Sequence, residues 1–297
     1  MTETQTTKKT KQVARVVGQA VTWPFRFFRG FCAFVGFVTI MIVAAAGLYV
    51  YGFLRELPDL ERMKFLGVKK VAQTTVTDKL EDRSRRYRWI AIDEVSRDLL
   101  YSVVLAEDAE FFEHEGVAFD ALLNSLADNI KRRKIESGGS TITQQTVKNV
   151  FLTNERTLLR NLKELLIARD IEEKLSKNEI LEVYLNIAEF GPDIIGVNSA
   201  SHKYFQKTPN EINAAEGAFL ALLLPSPRRL AYSMVENKNL TKAHRNKIRR
   251  ILGDMLHNEY ISLKQYQEYL QYDYFDSTKN TPLKKRGNLQ RGLAGKR

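Results

Sequence analysis

The stretch Asp93–Gly116, DEVSRDLLYSVVLAEDAEFFEHEG, sets the helical character of the chain and supplies its most reactive cluster. Val95, Leu99, Leu100, Val103, Val104 and Ala106 recur at helical spacing and deliver Glu107 at the end of the predicted helix. Five carboxylates (Glu107, Asp108, Glu110, Glu113, Glu115) then surround Phe111, Phe112 and His114. A carboxylate beside apolar surface is a candidate general base, because desolvation raises its pKa towards working pH. Glu107 has the best claim, since Phe111 and Phe112 dry its surroundings. His114 has no second histidine nearby, so a structural hydrogen bond suits it better than metal ligation.

Downstream the pattern stays helical. Phe119–Lys134 reads as a second helix and Arg156–Leu175 as a long third one. Ser176-Lys-Asn-Glu179 is a capping box opening a helix over Ile180–Ala188. Thr208-Pro-Asn-Glu211 is another, predicting a helix to Leu224 that Pro225-Ser-Pro227 stops. Thr241–His257 and Leu263–Tyr272 predict two more. No internal repeat is present.

Two further segments carry chemistry. Gly138–Asn149, GGSTITQQTVKN, is a glycine turn running into a helix whose free N–H groups suit an anion. From Ser140 onward, Thr141, Gln144, Gln145 and Lys148 fall on one face, which fits a diphosphate or a sugar. An exposed polar helix capped by Ser140 explains the same residues, and composition alone slightly favours that plainer account. Arg156, Arg160 and Glu164 follow at i, i+4 and i+8 with Lys163 alongside. That is either a phosphate clamp with a second carboxylate or an ordinary salt-bridge ladder, and ladders are commoner. The chain has no zinc-ligand spacing, Walker-type loop or nucleophile elbow.

The formal charge of +11 is confined to the ends. Residues 1–29 hold six basic side chains against Glu3, and residues 280–297 hold six with no acid, so the rest is neutral. Basic tails favour anionic lipid surfaces and argue against a nucleic-acid-binding domain. Gly30–Leu54 is free of charge between Arg29 and Arg55, long enough to span a hydrocarbon core of roughly 30 Å. Trp23, Phe25, Phe27, Phe28, Tyr49 and Tyr51 suit the two interfaces. The basic N-terminal tail favours an inside N-terminus, but the nearby Arg55, Arg62, Lys64, Lys69 and Lys70 weaken that bias. The lone Cys32 excludes an intrachain disulfide. The organisation read from this is a basic tail (1–29, polar and unstructured through residue 22), a transmembrane helix (30–54), a connector (55–92), a main domain (93–234) and C-terminal helices with a basic tail (235–297). In the connector, Val71–Thr77 and Arg86–Ile92 are rich in β-branched and aromatic residues and predict two paired strands.

Taken in order, these segments resemble the glycosyltransferase domain of peptidoglycan synthases, glycosyltransferase family 51. The motif Glu-Asp-x-x-Phe-x-x-His-x-Gly is met at Glu107, Asp108, Phe111, His114 and Gly116. The motif Gly-x-Ser-Thr-Ile-x-Gln-Gln-x-x-Lys-Asn is met from Gly138 through Ser140, Thr141, Ile142, Gln144, Gln145, Lys148 and Asn149. A third, Arg-Lys-x-x-Glu, is met at Arg160 and Glu164 but carries Asn161 where the family usually has lysine. A fourth is met by Lys177, Ile180, Leu181, Tyr184, Leu185 and Asn186, and its continuation Ile187–Gly191 is similar to the monofunctional biosynthetic peptidoglycan transglycosylases. A fifth, a small-residue helix ending in Pro-x-Pro, is similar at Ala214–Pro227.

The resemblance covers roughly residues 93–230 and implies a mainly α, lysozyme-like domain with a small irregular or β element, preceded by one transmembrane helix. It implies inverting transfer outside the cytoplasmic membrane, N-terminus inside. Glu107 would take the proton from the 4-hydroxyl of lipid II, and undecaprenyl pyrophosphate would leave the growing glycan. Lys148, Arg156 and Arg160 would receive that diphosphate, with Glu164 as second catalytic carboxylate. Asp108, Phe111, His114, Ser140, Thr141, Gln144 and Gln145 would line the substrate site. Phe111, Phe112, Val150, Phe151 and Leu152 would either dip into the bilayer or form core. No cofactor is required, though a divalent cation (Mg or Mn) is compatible with the chemistry. The implied partners are lipid II, lipid-linked nascent glycan, membrane lipid and other cell-wall synthesis proteins, with no nucleic acid. Two rival readings are a muramidase or lytic transglycosylase, to which the cation set is useless, and a catalytically silent membrane-anchored scaffold.

Overall fold

The computed structural model describes residues 3–55, 57–58, 64–80, 87–115, 140–152 and 157–275, with side chains from Phe27 onward apart from Leu158. The expected helix Phe119–Lys134, the turn Gly138–Gly139, Gly116 and Arg156 lie outside the described residues. The chain forms two compact units, Met1–Pro58 and Asp59–Arg297.

The first unit is one helix, α1 (Glu3–Arg55). Its part Phe27–Arg55 is 29 residues of mean hydropathy 2.4 with no buried residue in its apolar window, long and apolar enough to cross a membrane. Thr39 returns its hydroxyl to the Val35 carbonyl at 2.8 Å, so it brings no free polar group into lipid. The expectation of an unstructured stretch before residue 22 is corrected: the backbone is helical from Glu3. Val13, Val16, Val17 and Val21 recur at helical spacing there, a signal that the polar composition hid.

The second unit is helical almost throughout, as expected. Its elements are α2 (Phe65–Lys79), a 3₁₀ turn (Ile92–Glu94), α3 (Arg97–Glu107), α4 (Ile142–Phe151), α5 (Leu158–Lys174), α6 (Lys177–Ile187), β1 (Glu189–Gly191), β2 (Ile194–Ile195) and α7 (Gly196–Phe205). A second 3₁₀ turn (Pro209–Glu211), α8 (Ala214–Leu223), α9 (Pro227–Leu230), a π-helical stretch (Ala231–Glu236), α10 (Lys242–His257) and α11 (Leu263–Tyr269) complete it. The antiparallel pair β1–β2 is the one sheet among the described residues.

The predicted strands do not form. Val71–Thr77 is part of helix α2, whose Val68, Ala72 and Val76 make a buried stripe at i, i+4 and i+8. Thr74, Thr75 and Thr77 each donate to the carbonyl four residues back, so the β-branched hydroxyls are satisfied inside the helix. Residues 87–91 form no strand and pair instead with side chains of α6. Asn186 accepts from the Ile90 N–H at 2.8 Å and donates to the Ile90 carbonyl at 2.8 Å. Glu182 accepts from Trp89 Nε1 at 2.7 Å and the Ile92 N–H at 3.0 Å. A strand's hydrogen bonds are thus replaced by two buried polar side chains.

The Ser176 capping box opens α6 as predicted, beginning at Lys177. The Thr208 box, by contrast, opens only the turn Pro209–Glu211, and a second box at Asn213 and Glu216 opens α8. Every residue of α8 is buried. Helix α3 crosses it at Gly217, where an added Cβ would lie 2.7 Å from Ser102 Oγ and 3.0 Å from Leu99 Cα. Gly217→Ala is therefore expected to force α3 and α8 apart and cost about 1–3 kcal/mol, read as a fall in the thermal midpoint of the purified protein.

Helix α10 covers this pair with Ile248, Ile251, Leu252 and Met255, and Met255 Sδ lies 3.3 Å from Ser102 Oγ. The Glu216 carboxylate, almost wholly buried, accepts from the Asn213 N–H (3.0 Å), Lys207 (2.6 Å) and Tyr272 (2.5 Å). Tyr274 stacks on Phe219 with centroids 5.3 Å apart. Residues 235–275, whose role the sequence left open, contribute side chains to the same core.

Candidate active site

Helix α3 ends at Glu107, and the loop after it folds back on α4. Asp108 leaves helical geometry, and its carboxylate accepts the Ile142 N–H at 2.9 Å, the first free amide of α4. Both Asp108 oxygens lie 3.0 Å from His114 Nε2, so the histidine has the hydrogen-bonding place expected of it. Lys177 ties the loop from the other side, bonding the His114 carbonyl at 2.5 Å and Glu172 at 2.8 Å beneath the Phe111 ring. Thr143 donates to the same Glu172 oxygen at 2.5 Å. A buried polar network therefore fixes the backbone that presents Glu107.

Glu107 itself is half-buried. Its Oε2 accepts from Gln145 Nε2 at 3.0 Å, and Gln145 Oε1 accepts from the buried Tyr184 hydroxyl at 3.2 Å. Burial pushes the Glu107 pKa up, and Asp108 adds to the rise. The Gln145 hydrogen bond and the charges of Lys247 and Lys148 oppose it. Lys148 is exposed and forms no ion pair among the described residues. Glu164 also has its pKa raised by burial, against Arg160 and the same Lys148. Lys148 therefore acts on both carboxylates.

Arg160 bridges Glu164 at 3.0 Å and donates to Asn161 Oδ1 at 2.9 Å. Its buried Nε has no partner among the described residues. Asn161, which stands where lysine was expected, thus steadies the neighbouring guanidinium.

The other expected site residues fall into two groups. Ser140 is exposed, but the cap of α4 is Thr141, not Ser140. Thr141 and Gln144 are buried in a reciprocal capping box, the Gln144 amide oxygen accepting the Thr141 N–H at 2.9 Å. Phe111 is wholly buried and offers no surface to a ligand or a bilayer, and Val150 is core as well. Of the five proposed bilayer residues, Phe112 is the exposed one at 44%, with Phe151 and Leu152 partly covered. Asp108, Phe111, His114, Thr141 and Gln144 therefore shape the site from behind, while Glu107, Gln145, Lys148, Arg160 and Glu164 gather at its open side.

Two features escaped the sequence reading. Lys247 reaches the field of Glu107 from α10, far along the chain, and nothing local marks it. Leu159, Leu162 and Leu166 form an exposed apolar stripe on α5. Their i, i+3, i+7 spacing was the available signal.

A half-buried carboxylate held by an amide and flanked by cations is the equipment of a helical acid–base enzyme acting on an anionic substrate. Comparison with known proteins identifies the family. The model of the family described as Transglycosylase matches residues 73–256, and the chain belongs to that family. It is 39% identical over 181 residues to the biosynthetic peptidoglycan transglycosylase of Nitrosospira multiformis, an alignment covering 61% of this chain and 76% of that protein. To the protein of the same name from Pasteurella multocida it is 38% identical over 167 residues, 56% of this chain and 67% of the other. Penicillin-binding protein 1A of Clostridium perfringens aligns over 266 residues at 30% identity, covering 86% of this chain and 39% of that longer protein.

Proposed function

We propose that the protein is a peptidoglycan glycosyltransferase that polymerises lipid II at the outer face of the cytoplasmic membrane. The carrying observation is the pairing of Glu107, raised in pKa yet hydrogen-bonded by Gln145, with a Lys148 ammonium that also faces Glu164. Glu107 takes the proton of the acceptor sugar's 4-hydroxyl. The freed oxygen bonds to the anomeric carbon of the lipid-linked glycan from the face opposite its diphosphate. The carbon–oxygen bond to undecaprenyl pyrophosphate breaks with inversion, and Lys148, Arg160 and Arg156 receive the negative charge. Glu164 orients Arg160. Burial raises the Glu107 pKa and so strengthens it as a base, while Lys247 and Lys148 favour its ionised form.

The apolar helix of α1 supports membrane anchoring, since both substrates are lipids held in one surface. Phe112 and the stripe Leu159, Leu162 and Leu166 offer apolar surface to the same bilayer. The N-terminus is then cytoplasmic and the catalytic unit outside.

The cations favour synthesis over glycan cleavage, because a neutral glycosidic bond gives them nothing to bind. Incubation of the detergent-solubilised protein with labelled lipid II is expected to yield polymer that a phosphoglycolipid of the moenomycin type suppresses. Purified glycan strands are expected to stay intact. Shortened strands without polymer would overturn the reading.

A further inference from the structure

We infer that Tyr184 is a positioning residue for the catalytic base, acting through Gln145. The inference rests on the reading of Glu107 as that base. The geometry is a three-member chain: Tyr184 Oη donates to Gln145 Oε1 at 3.2 Å, and Gln145 Nε2 donates to Glu107 Oε2 at 3.0 Å. A primary amide can be turned over, exchanging its donor and acceptor ends, at little cost unless its neighbours oppose it. Here they do. Tyr184 is 1% exposed, and its hydroxyl has no other hydrogen-bond partner among the described residues. Its proton must go to the amide oxygen or go unshared in the core.

Burial, with Glu107 and Asp108 close by, holds the Tyr184 pKa well above its ordinary value, so the phenol remains a donor at any working pH. Gln145 is thereby locked with its NH₂ towards Glu107, an orientation that favours the carboxylate over the carboxylic acid, since a charged acceptor makes the stronger hydrogen bond. One oxygen of Glu107 is occupied, which leaves Oε1 as the atom that takes the substrate proton. Tyr184 thus biases the base towards its ionised form and marks the oxygen that works. Three charged groups also face Glu107 and set the background for this effect: Asp108 on its own loop, Lys148 on α4 and Lys247 on α10.

The test is the pH–rate profile of lipid II polymerisation by the full chain in detergent, for Tyr184→Phe, Gln145→Met, the double variant and Glu107→Gln. Tyr184→Phe removes one oxygen atom and keeps the ring. It is expected to move the acid limb up by about one pH unit and to lower kcat about 10-fold with KM little changed. In the Gln145→Met background the tyrosine substitution is expected to add nothing, since its effect passes through the amide. A merely structural tyrosine would lower the thermal midpoint and leave the limb in place. An unmoved limb, or full additivity with Gln145→Met, overturns the inference while an inactive Glu107→Gln leaves the proposed function standing. An active Glu107→Gln overturns both.

Discussion

Glu107→Gln is expected to abolish polymerisation of lipid II, with a loss of about 10²–10⁴-fold in kcat, while the protein stays folded. The two halves of this outcome come from the same feature. The carboxylate is half-buried, so its folded pKa lies above its ordinary value. For an acid raised in this way the folded state favours the protonated form, and ionisation counts against folding as pH rises through the folded pKa. Glutamine is neutral at every pH and its amide oxygen can still accept from Gln145. Its thermal midpoint at pH 7–8 should equal or exceed that of the parent, with no such gain at pH 4. The parent's rate should fall as pH drops through the Glu107 pKa, giving an acid limb above that of a free glutamate. A folded Glu107→Gln protein with undiminished turnover would remove Glu107 from the chemistry.

Asn186→Ala carries the largest expected stability effect. Asn186 is 2% exposed, and its side chain makes three hydrogen bonds, two to Ile90 and one to the Glu182 carbonyl at 2.8 Å. Alanine would strand the N–H and C=O of the equally buried Ile90, at about 1–3 kcal/mol for each group. A loss of roughly 3–5 kcal/mol should lower the midpoint by about 10 °C, as measured by circular dichroism. Residues 87–92 would lose their attachment to α6, and Tyr87, which donates to the Asn186 carbonyl, should become more exposed to solvent. A variant within 1 °C of the parent would show that the polar pairing is incidental.

What the sequence revealed tracks how local each signal is. The Ser176 capping box and the apolar spacing of Val95–Ala106 need only their own segments, and α6 and α3 follow them closely. The position of Glu107 at a helix end was legible for the same reason. The α2 segment misled because β-branched composition outweighed the spacing of Val68, Ala72 and Val76, which decides once α6 is there to cover that face. The 87–92 segment misled because its partners are side chains about 90 residues away, and no local pattern announces them. Within the site, the motif residues divide by burial, which spacing does not encode. Asp108 and Gln145 are close in sequence to neighbours of similar polarity, yet one accepts the first amide of α4 and the other meets Glu107. Lys247 was illegible for the plainest reason: only the packing of α10 against α3 brings it near Glu107.

The placement of the last described residues bears on how the protein is made. Ser102 meets Met255 across 153 positions of sequence, and Glu216 gains its final ligand only when Tyr272 arrives. Helix α3 therefore waits for α10, late in the chain, before its apolar side is fully covered. The surroundings of Glu107, which include Lys247, are likewise complete only once α10 has been made. A premature stop ahead of Tyr272 would leave Glu216 without that partner and Phe219 without the ring stacked on it.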